Sequence, residues 1–129
     1  MINKCFYQVK EFHDSFDMPI GTTNISSNPA YLTKEDANRI QLRHNLIAEE
    51  YKEVMEAQTP EDIMKESCDL IYVILGMFVE FGWDFEEAFS RVHESNMSKL
   101  GEDGKPIYRE DGKVLKGPAY KLADLSDLI

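Results

Sequence analysis

The stretch EEYKEVMEAQTPEDIMKESCDLIY, from Glu49 to Tyr72, carries eight acids: Glu49, Glu50, Glu53, Glu56, Glu61, Asp62, Glu66 and Asp69. Two spacings in it match, Glu50-x-x-Glu53 and Glu66-x-x-Asp69. At its centre TPED has the form of a helix start, with Thr59 as N-cap, Pro60 at the first helical position and Asp62 three residues after the cap. The helix before it ends near Gln58, so two helices meet at a very short connection and fold back as an antiparallel hairpin. Residues three apart share a helix face. Glu50 lies about eight residues before the turn and Glu66 about eight after it. At a rise of about 1.5 Å per residue the two stand at nearly one height, and the two pairs are offset by roughly 3 Å. With both faces turned inward, four carboxylates converge.

Bare carboxylates at that distance repel one another and resist burial. A hard divalent cation removes the conflict, and Mg²⁺ prefers oxygen ligands. Acid pairs across a helical bundle are a known layout for such a site. A solvated acidic face beside Lys52 describes Glu49 and Glu56 equally well. It fits Asp69 poorly, because Leu70 to Val79 are apolar at every position. Other metal and phosphate patterns fail. No Glu has a His three residues later, as a di-iron bundle needs. His13, His44 and His93 are scattered and read as packing or surface residues. LGEDGKP lacks the spacing and the Ser/Thr of a phosphate-binding loop, and no EF-hand pattern occurs.

Working outward, four helices are expected. The first runs from about Lys4 to Phe16, with Asn3 as its N-cap and Phe6, Val9, Phe12, His13 and Phe16 on one face. DMPIGTTNISSNPAY then reads as a loop. The second helix follows Thr33, where TKED forms a capping box. Its apolar face is Leu42, Leu46, Ile47, Tyr51, Val54 and Met55. The third runs to about Phe81, is apolar nearly all round after Asp69, and is expected to be the most buried, ending at Gly82. WDFEE opens the fourth, with Asp84 as N-cap, continuing to about Ser98. In the tail, Asp111-Gly112 reads as a two-residue hairpin turn between short strands. The expected fold is all-α: one domain over 1–129, with a four-main-helix bundle over about 3–98 and a small C-terminal β-hairpin and tail over 99–129. The third helix is too apolar for one hairpin to cover, so a second copy is expected to complete the core.

The chain has 129 residues, 43% of them hydrophobic and 29% charged, with a formal net charge of −10. That length suits one domain. The acidic balance opposes nucleic-acid binding, while an anionic small molecule remains acceptable if metal ions lie between. Cys5 and Cys68 lack partner spacing and read as small core residues in a reducing compartment. No signal peptide is read at the N-terminus. DLIYVILGMFVEFGW is too short for a membrane span and is interrupted by Glu80. A cytoplasmic location is expected.

The order Glu-x-x-Glu, short turn, Glu-x-x-Asp resembles the MazG-like all-α nucleoside triphosphate pyrophosphohydrolases, the group that includes phosphoribosyl-ATP pyrophosphohydrolase. VKEFHDSFDMP is similar to the first helix of that family. LRHNLIAEEYKEVMEA and ESCDLIYVILGMFVEFGWD are similar to its two metal helices. VHESNMSKLGEDGKPIYREDGKVLKGPAY is similar to the Asn/Ser/Lys segment and tail of its phosphoribosyl-ATP-like branch.

The resemblance implies hydrolysis of a nucleoside triphosphate, or of a phosphoribosyl-ATP-like nucleotide, to the monophosphate and pyrophosphate, with Mg²⁺ as cofactor and Mn²⁺ as a substitute. Glu50, Glu53, Glu66 and Asp69 would hold the metal. Glu49 would be either an outer ligand or the base that takes the proton of the attacking water. Lys99 would meet the distal phosphates, with Asn96 beside it. Lys113, Lys116 and Tyr120 would follow as a mobile closing tail, and Arg43 is a further substrate-binding candidate. Phe12, Phe16 and Trp83 are either core residues or walls for a base. The resemblance also implies a homodimer or homotetramer. Two other readings stand beside it: a non-catalytic helical interaction module, and a metal-dependent hydrolase of another phosphate ester.

Overall fold

Short polar side chains start the helices. The computed structural model describes residues 2–26 and 28–129, with side chains from residue 4 onward. The α1 helix spans Ile2–Ser15, α2 Lys34–Glu56, α3 Pro60–Phe81 and α4 Phe85–Met97. Thr33 accepts a hydrogen bond from the amide of Asp36, Thr59 from that of Asp62, and Asp84 from that of Glu87. Each cap satisfies an amide that the first helical turn leaves without a partner. Gly82 closes α3 in the left-handed region at φ 73°, where a Cβ would be strained and would also press on Gly21. The α1 helix already includes Asn3, one residue inside its start, so Asn3 does not precede the helix as a cap; its side chain lies outside the described residues.

The described residues form two compact units, one ending at Trp83 and the other beginning at Asp84. In the first, α3 packs against both α1 and α2. The connection from α2 to α3 is three residues, 57–59, with Ala57 as the C-cap of α2. Among the described residues of the loop between α1 and α2 there is one 3₁₀ turn, at Pro29–Tyr31. The loop is fastened to the end of α3, where the amides of Gly21 and Thr23 donate to the carbonyls of Val79 (2.8 Å) and Glu80 (3.3 Å).

The burial of α3 is one-sided. Leu75, Gly76, Val79 and Glu80 are buried, whereas Ile63, Met64 and Ile71 stand exposed. Among the described residues α3 holds the most buried positions, as expected, although α1 and α2 cover one side of it only. Cys5 and Cys68 are also exposed free thiols, not core residues. No helix among the described residues is long and apolar enough to cross a membrane.

In the second unit the tail is tied back to α4. Ser95 donates to the Lys121 carbonyl, the Lys121 amide donates to Ser98, and the Gly117 amide donates to the Lys99 carbonyl. Arg91 adds hydrogen bonds to Asp127 and to the Asp124 carbonyl. From Gly117 onward the tail is hydrogen-bonded to α4 and to Ser98 and Lys99 just beyond it. A Cβ at Gly117 would collide with the Lys99 and Leu100 carbonyls, which explains a glycine there.

The expected C-terminal β-hairpin does not form as strands among the described residues. One antiparallel bridge joins Tyr108 and Val114. The turn is a three-residue loop, not the two-residue turn expected: the Arg109 amide bonds the Lys113 carbonyl, the Gly112 amide bonds the Arg109 carbonyl, and Gly112 takes φ 88°. That left-handed glycine after a tight turn is the bulged hairpin connection. Its arms are short and exposed, and an isolated two-stranded ribbon has little to hold it.

Candidate functional site

The three-residue connection sets the register of α2 against α3, and it brings the four acids together. Glu50, Glu53, Glu66 and Asp69 each offer an oxygen, and these atoms all lie within 4.8 Å of one another. One oxygen each of Glu50 and Glu66 is buried with no hydrogen-bond partner. Orphaned carboxylate oxygens facing other carboxylates are costly unless something positive joins them. Glu66 is held above the ordinary carboxylate range. A hydrogen bond shared with Glu53 is the chief cause and lost hydration the next, with Lys65 pulling the other way.

Lys65 is the cation beside the group. Its Nζ lies 2.7 Å from Asp69 and 3.4 Å from Glu66. The side chain is exposed, so one ammonium on a flexible stem partly offsets four acids and can swing away. The donor set is all carboxylate oxygen, converging from two facing helices. It therefore fits a hard divalent metal. Glu49 is exposed and falls outside the group, and Lys52 pairs with Glu56 at 3.9 Å rather than with either flanking acid.

A cavity of about 410 Å³ adjoins two of the four acids. Its lining includes Phe12, His13, Arg43, Glu50, Asp69 and Tyr72. Phe12 and Tyr72 meet edge to face with centroids 5.6 Å apart, and Phe12 also tilts over Phe16 at 4.5 Å. Phe12 thus borders the cavity, while Trp83 packs edge-on against Phe78 and Phe81, with centroids 5.5 and 4.9 Å away. His13 is buried. Its Nδ1 donates to the Pro19 carbonyl at 2.8 Å, and burial foremost, then the Arg43 charge, keeps the imidazole below its ordinary pKa against the pull of that carbonyl.

Behind the cavity lies a cluster that the sequence reading did not assemble. Glu80 is fully buried. Arg39 grips it with two hydrogen bonds, Nε to Oε2 at 2.9 Å and Nη2 to Oε1 at 2.7 Å, and Thr23 donates to Oε2 at 2.7 Å. Arg43 is 2% exposed, with Nη1 at 3.9 Å from Glu80 and Nη2 donating to the Val73 carbonyl at 2.7 Å. Burial alone would raise the Glu80 carboxyl, but the hydrogen bonds from Arg39 and Thr23 and both guanidinium charges outweigh it and hold the acid below its usual range. Half of a signal was present: a lone acid in an apolar helix needs a partner, but nothing local to Glu80 says which residue supplies it.

The remaining sequence candidates lie in the second unit. Asn96 is exposed in the last turn of α4, and the half-buried Lys99 follows it. The Lys113 amide donates to Asp111, and the Lys116 ammonium sits 4.8 Å over the Tyr120 ring.

Comparison with known proteins bears on this geometry. No curated protein matches the chain. A solved structure of a proposed NTP pyrophosphohydrolase from Exiguobacterium sp. 255-15 is 24% identical, with 92% of this chain and 88% of that one covered and a TM-score of 0.45. The sequence profile of phosphoribosyl-ATP pyrophosphohydrolase matches residues 9–96, which include α2, α3 and all four converging acids. That span is more than half of the chain, and so the chain belongs to the phosphoribosyl-ATP pyrophosphohydrolase family, in the MazG-like superfamily, and is a pyrophosphohydrolase.

Proposed function

We propose that the protein hydrolyses a nucleoside triphosphate, a deoxynucleoside triphosphate or a phosphoribosyl-ATP-like nucleotide to the monophosphate and pyrophosphate, with Mg²⁺ as cofactor and Mn²⁺ as a substitute. The observation that carries this reading is the convergence of Glu50, Glu53, Glu66 and Asp69 within 4.8 Å. These four would hold the metal, which when bound offsets phosphate charge and lowers the pKa of water. Glu49, next in the chain to Glu50, would take the proton from the attacking water or act as an outer ligand. Glu50 and Asp69 line both the acid group and the cavity, so phosphates at the acids leave the sugar and base to the cavity. Arg43 would meet that part of the substrate, and Phe12 and Tyr72 would give it an apolar wall. Lys99, Asn96, Lys113, Lys116 and Tyr120 are assigned to substrate binding, Lys99 toward the distal phosphates. Incubation of the protein with a panel of ribo- and deoxynucleoside triphosphates and Mg²⁺ should release pyrophosphate from at least one. Release of single phosphate alone, or no turnover without and with metal, would reject the assignment.

The same reading makes the protein a homodimer or homotetramer in one 129-residue domain. Tyr51, Met55, Met64 and Ile71 are each more than half exposed on α2 and α3. Large apolar side chains left this exposed are costly in water and suit a second copy. Sedimentation at micromolar concentration should give at least twice the monomer mass of 14.9 kDa. A monomer would overturn the oligomer.

A further inference from the structure

Arg43 is held incompletely by its own protein. A guanidinium has five N–H donors. The Nη2 bond to the Val73 carbonyl is made, Glu80 is beyond hydrogen-bond reach at 3.9 Å, and the buried Nε has no partner. Both oxygens of Glu80 are already taken by Arg39 and Thr23. The cluster counts two guanidiniums against one carboxylate, and burial disfavours a further charge on the neighbouring His13. A buried excess of positive charge is a poor device for stability alone. Its place is informative. Arg43 and Glu50 line one cavity from the same helix, seven residues apart, or about 10 Å along the axis. Gly76 makes room for this arrangement, since a Cβ there would overlap the Arg43 guanidinium and crowd His13 Nε2.

We propose that Glu80 is a positioning residue: fixed by Arg39 and Thr23, its buried carboxylate holds the Arg43 guanidinium at the cavity end remote from the four acids, where it receives a hydrogen-bond acceptor on the sugar or base of the bound nucleotide. The inference rests on the pyrophosphohydrolase reading for the identity of the ligand, but not for the positioning itself. Glu80 touches no substrate in this assignment and acts through Arg43. Thr23 extends the same device to the loop, whose Gly21 and Thr23 amides are pinned to the end of α3.

Glu80→Gln keeps the volume and one acceptor and removes the charge. Gly76→Ala leaves Glu80 intact and displaces chiefly the far end of Arg43, with His13 giving way by a few tenths of an ångström, in a helix interior where alanine is otherwise favoured. Two readouts apply to both. The first is the Arg43 Nε–H resonance in ¹⁵N NMR, assigned by its loss in Arg43→Lys. It should be protected from exchange in the wild type and should move toward an exposed arginine in each variant. The second uses the nucleotide that turns over fastest with Mg²⁺. KM should rise about tenfold while kcat stays within about twofold, as expected for loss of uniform binding. The double variant Glu80→Gln/Arg43→Lys should be no worse than Arg43→Lys alone, because one effect passes through the other. An unmoved Arg43 resonance overturns the proposal, as does a KM loss in the double variant equal to the product of the single losses. If the wild type hydrolyses none of the nucleotides, the functional reading has failed, and the resonance in Glu80→Gln and Gly76→Ala still decides the positioning.

Discussion

Asp69→Asn is expected to abolish Mg²⁺-dependent pyrophosphate release while leaving the helices in place. Asparagine has the shape of aspartate but not its charge, and Asp69 is one of four carboxylates whose oxygens lie within 4.8 Å. Loss of one anionic ligand weakens the metal and the charge compensation that phosphoryl chemistry needs, so kcat/KM should fall by about 10²–10³-fold or more. The fold has no reason to suffer. Without metal the four acids repel one another, and one fewer charge relieves them. The opposing cost is one exposed ion pair with Lys65, worth little. Metal binding gives a separate readout. Mg²⁺ should raise the unfolding temperature of the wild type, as any ligand of the native state does, and should not raise that of Asp69→Asn. Near-normal turnover with Mg²⁺ in the variant would sink the four-carboxylate site.

That site was legible because its determinants are local. The caps at Thr59 and Asp62 fix where α3 starts, and Thr59 lies between two acid pairs whose spacing is readable by eye. Once the turn is placed, helix geometry alone brings Glu50 level with Glu66. Thr33, Asp84 and Gly82 were readable for the same reason: a cap acts through atoms two to four residues away. Glu80 was not, since its partners Thr23, Arg39 and Arg43 are 57, 41 and 37 residues distant in sequence. No spacing rule links them. The exposed Cys68 and Ile71 fall in the same class, because hydropathy reports that a residue prefers burial and not which neighbour buries it. In the tail, Asp111-Gly112 was correctly a turn. The extra residue in its loop depended on Gly112 adopting φ 88° after Asp111, a choice between two hairpin types that the dipeptide permits equally.

Glu80→Ala should be the most destabilising single change in the first unit. The wild-type carboxylate is fully buried and satisfies Arg39 and Thr23 while lying 3.9 Å from the buried Arg43. Alanine removes every acceptor and leaves two guanidiniums beside a small void. Deleting one partner of a buried ion pair costs about 3–5 kcal/mol, most of it for the charge left uncompensated. For a chain of this size that lowers the unfolding temperature by roughly 10–20 °C. Urea unfolding at fixed protein concentration measures it, and a loss below about 1 kcal/mol would show that the cluster is solvated rather than buried. The pH dependence has a definite sign. The folded-state pKa of Glu80 is depressed, by the bonds from Arg39 and Thr23 against the opposing pull of burial. Its contribution is therefore complete above the unfolded-state value of about 4.3 and is lost as pH falls through the lower folded-state pKa. Wild-type stability should drop across that acid window. Glu80→Ala, which has no proton to take up at this position, should lose correspondingly less there, so the gap between the two proteins narrows toward low pH. A gap that stays constant below pH ~4 would mean that Glu80 is not the group whose ionisation the two arginines and Thr23 sustain.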